Sequence, residues 1–164
     1  MPVWDTSVAS GLHPDSRLFD LAAETSVSEE PILIAAATVA EISFGLQQKA
    51  EDPRFADALA WFTDILRSGL LGVLPLTREG ALLSGQLRAS YPLPPSGSSS
   101  RKRDTRSKPE RRIAWVNDIQ IAASAWLRAE PVCTADQGHF RFLASAIAER
   151  YPNEGELEIL SPPI

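Results

Sequence analysis

The chain of 164 residues has a single cysteine, Cys133, so no disulfide can close within it. With only two histidines beside that cysteine, His13 and His139, no Cys/His zinc spacing can be assembled either. Both absences fit a reducing cytoplasm. Long apolar runs are missing too: the longest, around Ile32 to Ala40, is far too short to cross a bilayer. The opening Met1-Pro2-Val3-Trp4-Asp5 carries an acid where a secretion signal needs a basic and then an apolar stretch. The expectation is a cytoplasmic protein with no membrane partner. Positive charge is also short, since 16 Lys and Arg face 21 Asp and Glu for a net charge of -5, which excludes a generally basic nucleic-acid binder.

What is present describes a folded domain. A hydrophobic fraction of 44% in a chain of this length builds one sizeable core, so residues 1–164 read as a single domain. Val3-Trp4, Pro31 to Ile34, Gly72 to Leu76, Pro131 to Thr134 and Leu157 to Leu160 are short apolar, mostly β-branched runs bounded by turn residues. They read as five short buried strands. Between them, residues 16–25, 38–49, 53–68, 77–90, 116–130 and 140–151 are rich in Ala and Leu at helical spacing. Phe55, Leu59, Phe62 and Leu66 mark one buried stripe. Strands alternating with helices predict an α/β fold with a mostly parallel sheet covered on both faces.

One segment breaks the alternation. Pro92, Pro94 and Pro95 precede a Gly/Ser tract, and then Arg101, Lys102, Arg103, Arg106, Lys108, Arg111 and Arg112 follow in close order. Prolines block regular hydrogen bonding and the Ser/Gly tract has nothing to bury, so residues 92–112 read as a surface loop. Its cations either meet the backbone of a nucleic acid or are simply solvated.

Four acids stand at positions that need explaining. Asp5 follows the first strand and Asp136 the fourth; ligands of open parallel sheets bind beyond such carboxyl ends, although an acid there also serves as a helix cap. Asp118 projects, at roughly 100° per residue, to the side of Ile121, Ala122 and Ala125, where a carboxylate needs a partner, a cap role or a metal. Placed at a helix start, it has Asn117 beside it to act as the cap. Glu41 lies off the Val39, Ile42 and Leu46 stripe of its helix and taken alone reads as a solvated acid. Were all four gathered, their mutual repulsion, about 4 kcal/mol per pair ~4 Å apart at an effective dielectric of 20, calls for a cation or raised pKa values. Oxygen donors select hard ions, Mg²⁺ or Mn²⁺, whose chemistry on phosphate oxygens is phosphodiester hydrolysis.

These residues also carry a likeness. Val3-Trp4-Asp5-Thr6-Ser7-Val8, the box from Thr38 to Leu46, the box from Asn117 to Ala125, and Thr134-Ala135-Asp136 leading to His139-Phe140 occur in order along nearly the whole chain. In them the sequence resembles the PIN-domain ribonucleases, in particular the VapC-type toxins of toxin-antitoxin pairs. The resemblance implies a three-layer α/β/α fold and a Mg²⁺ or Mn²⁺ site formed by Asp5, Glu41, Asp118 and Asp136. Ser7 and Thr134 would orient an acid or a metal-bound water beside it. It implies an RNA substrate, assembly as a homodimer, and neutralisation by a cognate antitoxin whose C-terminal segment lies in the active-site groove. The basic segment at 92–112 is longer than the family's connection at that point. Two other functions are consistent with the same boxes: a housekeeping RNA-processing nuclease, and a binding module in which the acids form a docking surface. His139, beside Phe140 after a turn, reads as structural, Cys133 as a small buried hydrophobe, and Trp61, Trp115 and Trp126 as core or interface residues.

Overall fold

A computed structural model of the chain describes residues 1–27, 31–95 and 107–163. Five strands form one sheet: β1 (Val3–Trp4), β2 (Ile32–Ala35), β3 (Leu71–Leu74), β4 (Val132–Cys133) and β5 (Ile159–Leu160). Every pairing is parallel, in the spatial order β3-β2-β1-β4-β5. The chain therefore builds outward from β1 to β3 and then returns to the other side of β1. The strand order reverses between β1 and β4, and at such a reversal the connections diverge and leave a crevice at the carboxyl ends.

Alternation along the strands divides the interior into two cores, because successive side chains point to opposite faces. Val3, Ala35 and Val132 enter one core with Leu87, Trp115, Ile119, Ala122, Phe140 and Leu143. Trp4, Ile32, Ile34 and Cys133 enter the other with Val8, Ala22, Phe62 and Ile65. The first is covered by α5 (Arg78–Ser90), α6 (Lys108–Leu127) and α7 (Gln137–Arg150). The second is covered by α1 (Thr6–Ala9), α2 (Arg17–Val27) and α4 (Pro53–Ser68), together with the Val39, Ile42 and Leu46 side of α3 (Ala36–Gln47). This is the expected three-layer α/β/α arrangement, with a wholly parallel sheet. Ile34 and Ile121, each fully buried, contribute on the order of 2–3 kcal/mol apiece through area removed from water.

Local chemistry sets the helix ends. Helix α4 starts with Pro53 after an Asp52 cap and stops at Gly69, whose φ of 78° is the left-handed geometry that suits glycine. Helix α6 departs from expectation. It begins at Lys108 rather than Val116, behind a capping box in which Ser107 and Glu110 satisfy each other's backbone N–H groups. Residues 108–112 are therefore helical, not loop. Lys108, Arg111 and Arg112 are exposed on the first turns of α6, while Arg101, Lys102, Arg103 and Arg106 lie outside the described residues. Asn117 caps nothing, because Ser107 holds that role. Of the Phe55, Leu59, Phe62 and Leu66 stripe only Phe62 is buried, with Ile65 beside it and Leu66 packed against that core; Phe55 and Leu59 are half-buried, Phe55 against an open groove.

Candidate active site

The crevice between β1 and β4 receives side chains from four elements. Asp5 is the first residue beyond β1 and caps α1, accepting a hydrogen bond from the Val8 N–H at 3.0 Å. Capping is only part of its role. Ser7 Oγ donates to Asp5 Oδ1 at 2.7 Å and Thr134 Oγ1 donates to Asp5 Oδ2 at 2.8 Å. The same two hydroxyls accept from the far side: Ser7 Oγ from the Ala135 N–H at 3.0 Å, and Thr134 Oγ1 from the Asp136 N–H at 2.8 Å. Ser7 and Thr134 thus lock the ends of two adjacent strands together with Asp5 between them. Burial raises the Asp5 pKa above the ordinary carboxyl value despite these donors.

Asp118 sits well inside α6, not at its start, because the helix begins ten residues earlier. Its burial pushes the carboxyl up to about 6; the His139 hydrogen bond and charge oppose that shift, while the negative charges of Asp5 and Asp136 add to it. That mutual influence places the three aspartates within one electrostatic neighbourhood. Asp136 occupies the cap position of α7 but makes no capping bond with its side chain. Its Oδ2 lies 3.3 Å from His139 Nδ1, and its buried Oδ1 has no hydrogen-bond partner.

Glu41 differs from the solvated acid that its own helix suggests. It is partly buried, and its Oε2 accepts from Thr6 Oγ1 at 2.9 Å and from Asn117 Nδ2 at 3.1 Å. The donors are the residues next to Asp5 and Asp118, so Glu41 is tied to the cluster from both sides. Three participants escaped the sequence reading: Thr6, Asn117 and His139. His139 follows Asp136 by three residues, one helical turn, and that spacing was the available signal.

With the geometry known, comparison with known proteins is informative about architecture. No family model matches the chain, and no curated protein does. Solved structures do match. A chain of FitAcB from Neisseria gonorrhoeae aligns at 21% identity and a TM-score of 0.57, covering 98% of this chain and 96% of that one. A chain of VapBC-5 from Mycobacterium tuberculosis, a member of the VapBC family of toxin-antitoxin systems, aligns at 22% and 0.52, covering 99% and 98%. VapBC2 from Rickettsia felis, solved with a DNA fragment from its promoter, gives 15% and 0.54 over 97% and 96%. The chain has the PIN-like fold.

In this PIN-like frame the donor set suits a hard cation by chemistry: oxygen ligands only, one of them, Asp136 Oδ1, buried and unpaired. Its disposition is another matter. Among the described residues, no group of three or more His, Cys, Asp or Glu side chains is arranged to hold a metal ion as it stands. The carboxylates are engaged by hydroxyls, an amide and an imidazole. Other residues fall where expected. Cys133 is buried, its thiol pushed up to about 11 by burial and by the Asp5 charge, with Sγ 3.4 Å from the Ser161 carbonyl oxygen. Trp115 is core, donating from Nε1 to the Tyr91 carbonyl at 2.7 Å. No described helix is long and apolar enough to cross a membrane.

Proposed function

We propose that this chain is a Mg²⁺- or Mn²⁺-dependent endoribonuclease acting as the toxin of a toxin-antitoxin pair. The observation that carries the reading is the gathering of Asp5, Glu41, Asp118 and Asp136, from four separate elements, at the reversal point of a parallel sheet. The PIN-like fold adds to it. These acids would hold the ion, which when bound supplies a polarised phosphate oxygen and a water of lowered pKa. Asp5 presents a fixed carboxylate, because both oxygens are hydrogen-bonded. Asp118 and Asp136 meet through His139, and Asn117 and Thr6 hold Glu41 at the edge of the cluster. Exposed Lys108, Arg111 and Arg112 at the start of α6 offset the acidic field for an approaching RNA backbone.

Partners follow from the same surfaces. A groove of about 650 Å³ opens beside Thr6 and Glu41 and is walled by Ile42, Leu46, Phe55 and Trp61. We assign it to the antitoxin's C-terminal segment. Leu76 and Leu127 approach each other beside Gly80 and both are exposed; we assign this apolar pair to contact with a second copy of the chain, giving a homodimer.

Purified protein should cleave single-stranded RNA with Mn²⁺ or Mg²⁺, and Asp5→Asn or Asp118→Asn should lower kcat about a thousandfold. Full activity in either variant would falsify the site. Expression without a partner should arrest growth, and harmless expression of the intact enzyme excludes the toxin role. One observation favours a binding module instead, namely that no trio of described ligands is yet disposed around an ion. Absence of divalent-ion binding in a calorimetric titration would decide for it.

A further inference from the structure

His139 stands between two acids that come from different helices. Its Nδ1 is 2.9 Å from Asp118 Oδ2 on α6 and 3.3 Å from Asp136 Oδ2 at the start of α7. Carboxylate oxygens accept, so Nδ1 carries the hydrogen and shares it between the two. The ring is not free to swing. It is buried, and it packs edge-on against Trp115 with centroids 5.4 Å apart; Trp115 is itself anchored to the Tyr91 carbonyl. On the other side of the same carboxyl group, Asp136 Oδ1 is buried with no hydrogen-bond partner, an arrangement that ordinarily costs about 1–3 kcal/mol. A divalent ion would draw on the same two carboxylates, and among the described residues no three His, Cys, Asp or Glu side chains are grouped to hold one in this arrangement.

We propose that His139 is a positioning residue that clasps Asp118 to Asp136, and that a divalent cation enters by opening this clasp, the two Oδ2 atoms exchanging their shared N–H for the ion. This rests on the metal-dependent reading above. The clasp keeps two like charges together before the ion arrives, and it competes with the ion for them.

The full-length protein, stripped of metal, tests this by two readouts. In a calorimetric Mn²⁺ titration His139→Ala should bind about tenfold more tightly than the parent, the size of one hydrogen bond to a charged group. His139→Asn, whose side-chain N–H can stand near the place of Nδ1, should bind like the parent. In a Mg²⁺ titration followed through the imidazole ¹⁵N resonances, the His139 Nδ1 signal should move while that of exposed His13, the other histidine, stays put. Unchanged or weaker Mn²⁺ binding in His139→Ala overturns the clasp and leaves the metal site standing, as does a His139 resonance that stays fixed at saturation. If neither the parent nor His139→Ala binds Mn²⁺, the metal reading fails and the clasp with it. Should His139→Ala not fold, His139→Asn and the resonance shift still decide.

Discussion

Asp5 is a buried carboxylate and Asp118 a partly buried one, and desolvation raises the pKa of both, yet the chain stabilises them by opposite means. Asp5 is surrounded by donors that belong to neighbouring strand ends: two hydroxyls and a backbone N–H, each hydroxyl used again as an acceptor. Asp118 relies on an imidazole that it shares with Asp136 and feels the charge of both other aspartates. One half of the site is built into the sheet and the other is suspended between helices. The first is suited to hold geometry, and the second to respond to what enters.

This contrast makes opposed predictions about stability. The largest concerns Thr134, which is fully buried and serves both Asp5 and the Asp136 backbone. Thr134→Val keeps the volume but leaves an oxygen and an N–H unpaired, so unfolding should cost about 3 kcal/mol less, a fall in Tm of roughly 10 °C by calorimetry. Asp118→Asn should act in the other direction. An acid whose folded pKa is about 6, against an ordinary 3.8, is protonated in the folded chain between those values while the unfolded chain has released its proton. Its contribution therefore worsens as pH rises from 4 through 6 and stays unfavourable above 6. Removing the charge should raise metal-free stability at pH 7.5 by on the order of 2 kcal/mol, with the gain vanishing near pH 4. Chemical denaturation at the two pH values measures it, and a loss at pH 7.5 would show that the imidazole already compensates the charge.

Asp5→Asn should instead destabilise, by about 1 kcal/mol, because an amide nitrogen must face a donor. A rise in Tm for this variant would erase the distinction between the halves. The smallest effect belongs to Glu41→Gln, where the carbonyl oxygen can still accept from Thr6 and Asn117. A shift within about 0.5 kcal/mol is expected, read by the same denaturation.

Much of this architecture was legible in the sequence. Short β-branched runs and Ala/Leu helices mark the strands and six of the helices because a parallel sheet buried on both faces leaves that pattern. Asp5 and Asp136 were legible from their places after strands, and Ser7 and Thr134 from the family likeness. What was lost has physical causes. Helix α1 has four residues, too few to show a period. The start of α6 was hidden by a basic, proline-bearing stretch, although Ser107 and Glu110 have capping-box spacing and proline is at home in a first turn. Glu41 looked solvated because a helix projection knows nothing of Asn117, 76 positions further on. His139 looked structural because its two partners are brought together only by the packing of α6 and α7.

The bond between Thr134 and Asp5 joins positions 129 residues apart, and β1 has β4 as one of its two neighbours in the sheet. A ribosome must therefore deliver the chain as far as residue 136 before the crevice exists at all. Helices α1 to α5 and strands β1 to β3 can form during synthesis, but Asp5 waits for its other wall until residues 132–136 emerge. If the chain cuts RNA, a product interrupted before residue 132 lacks one wall of the crevice and spares the machine that makes it.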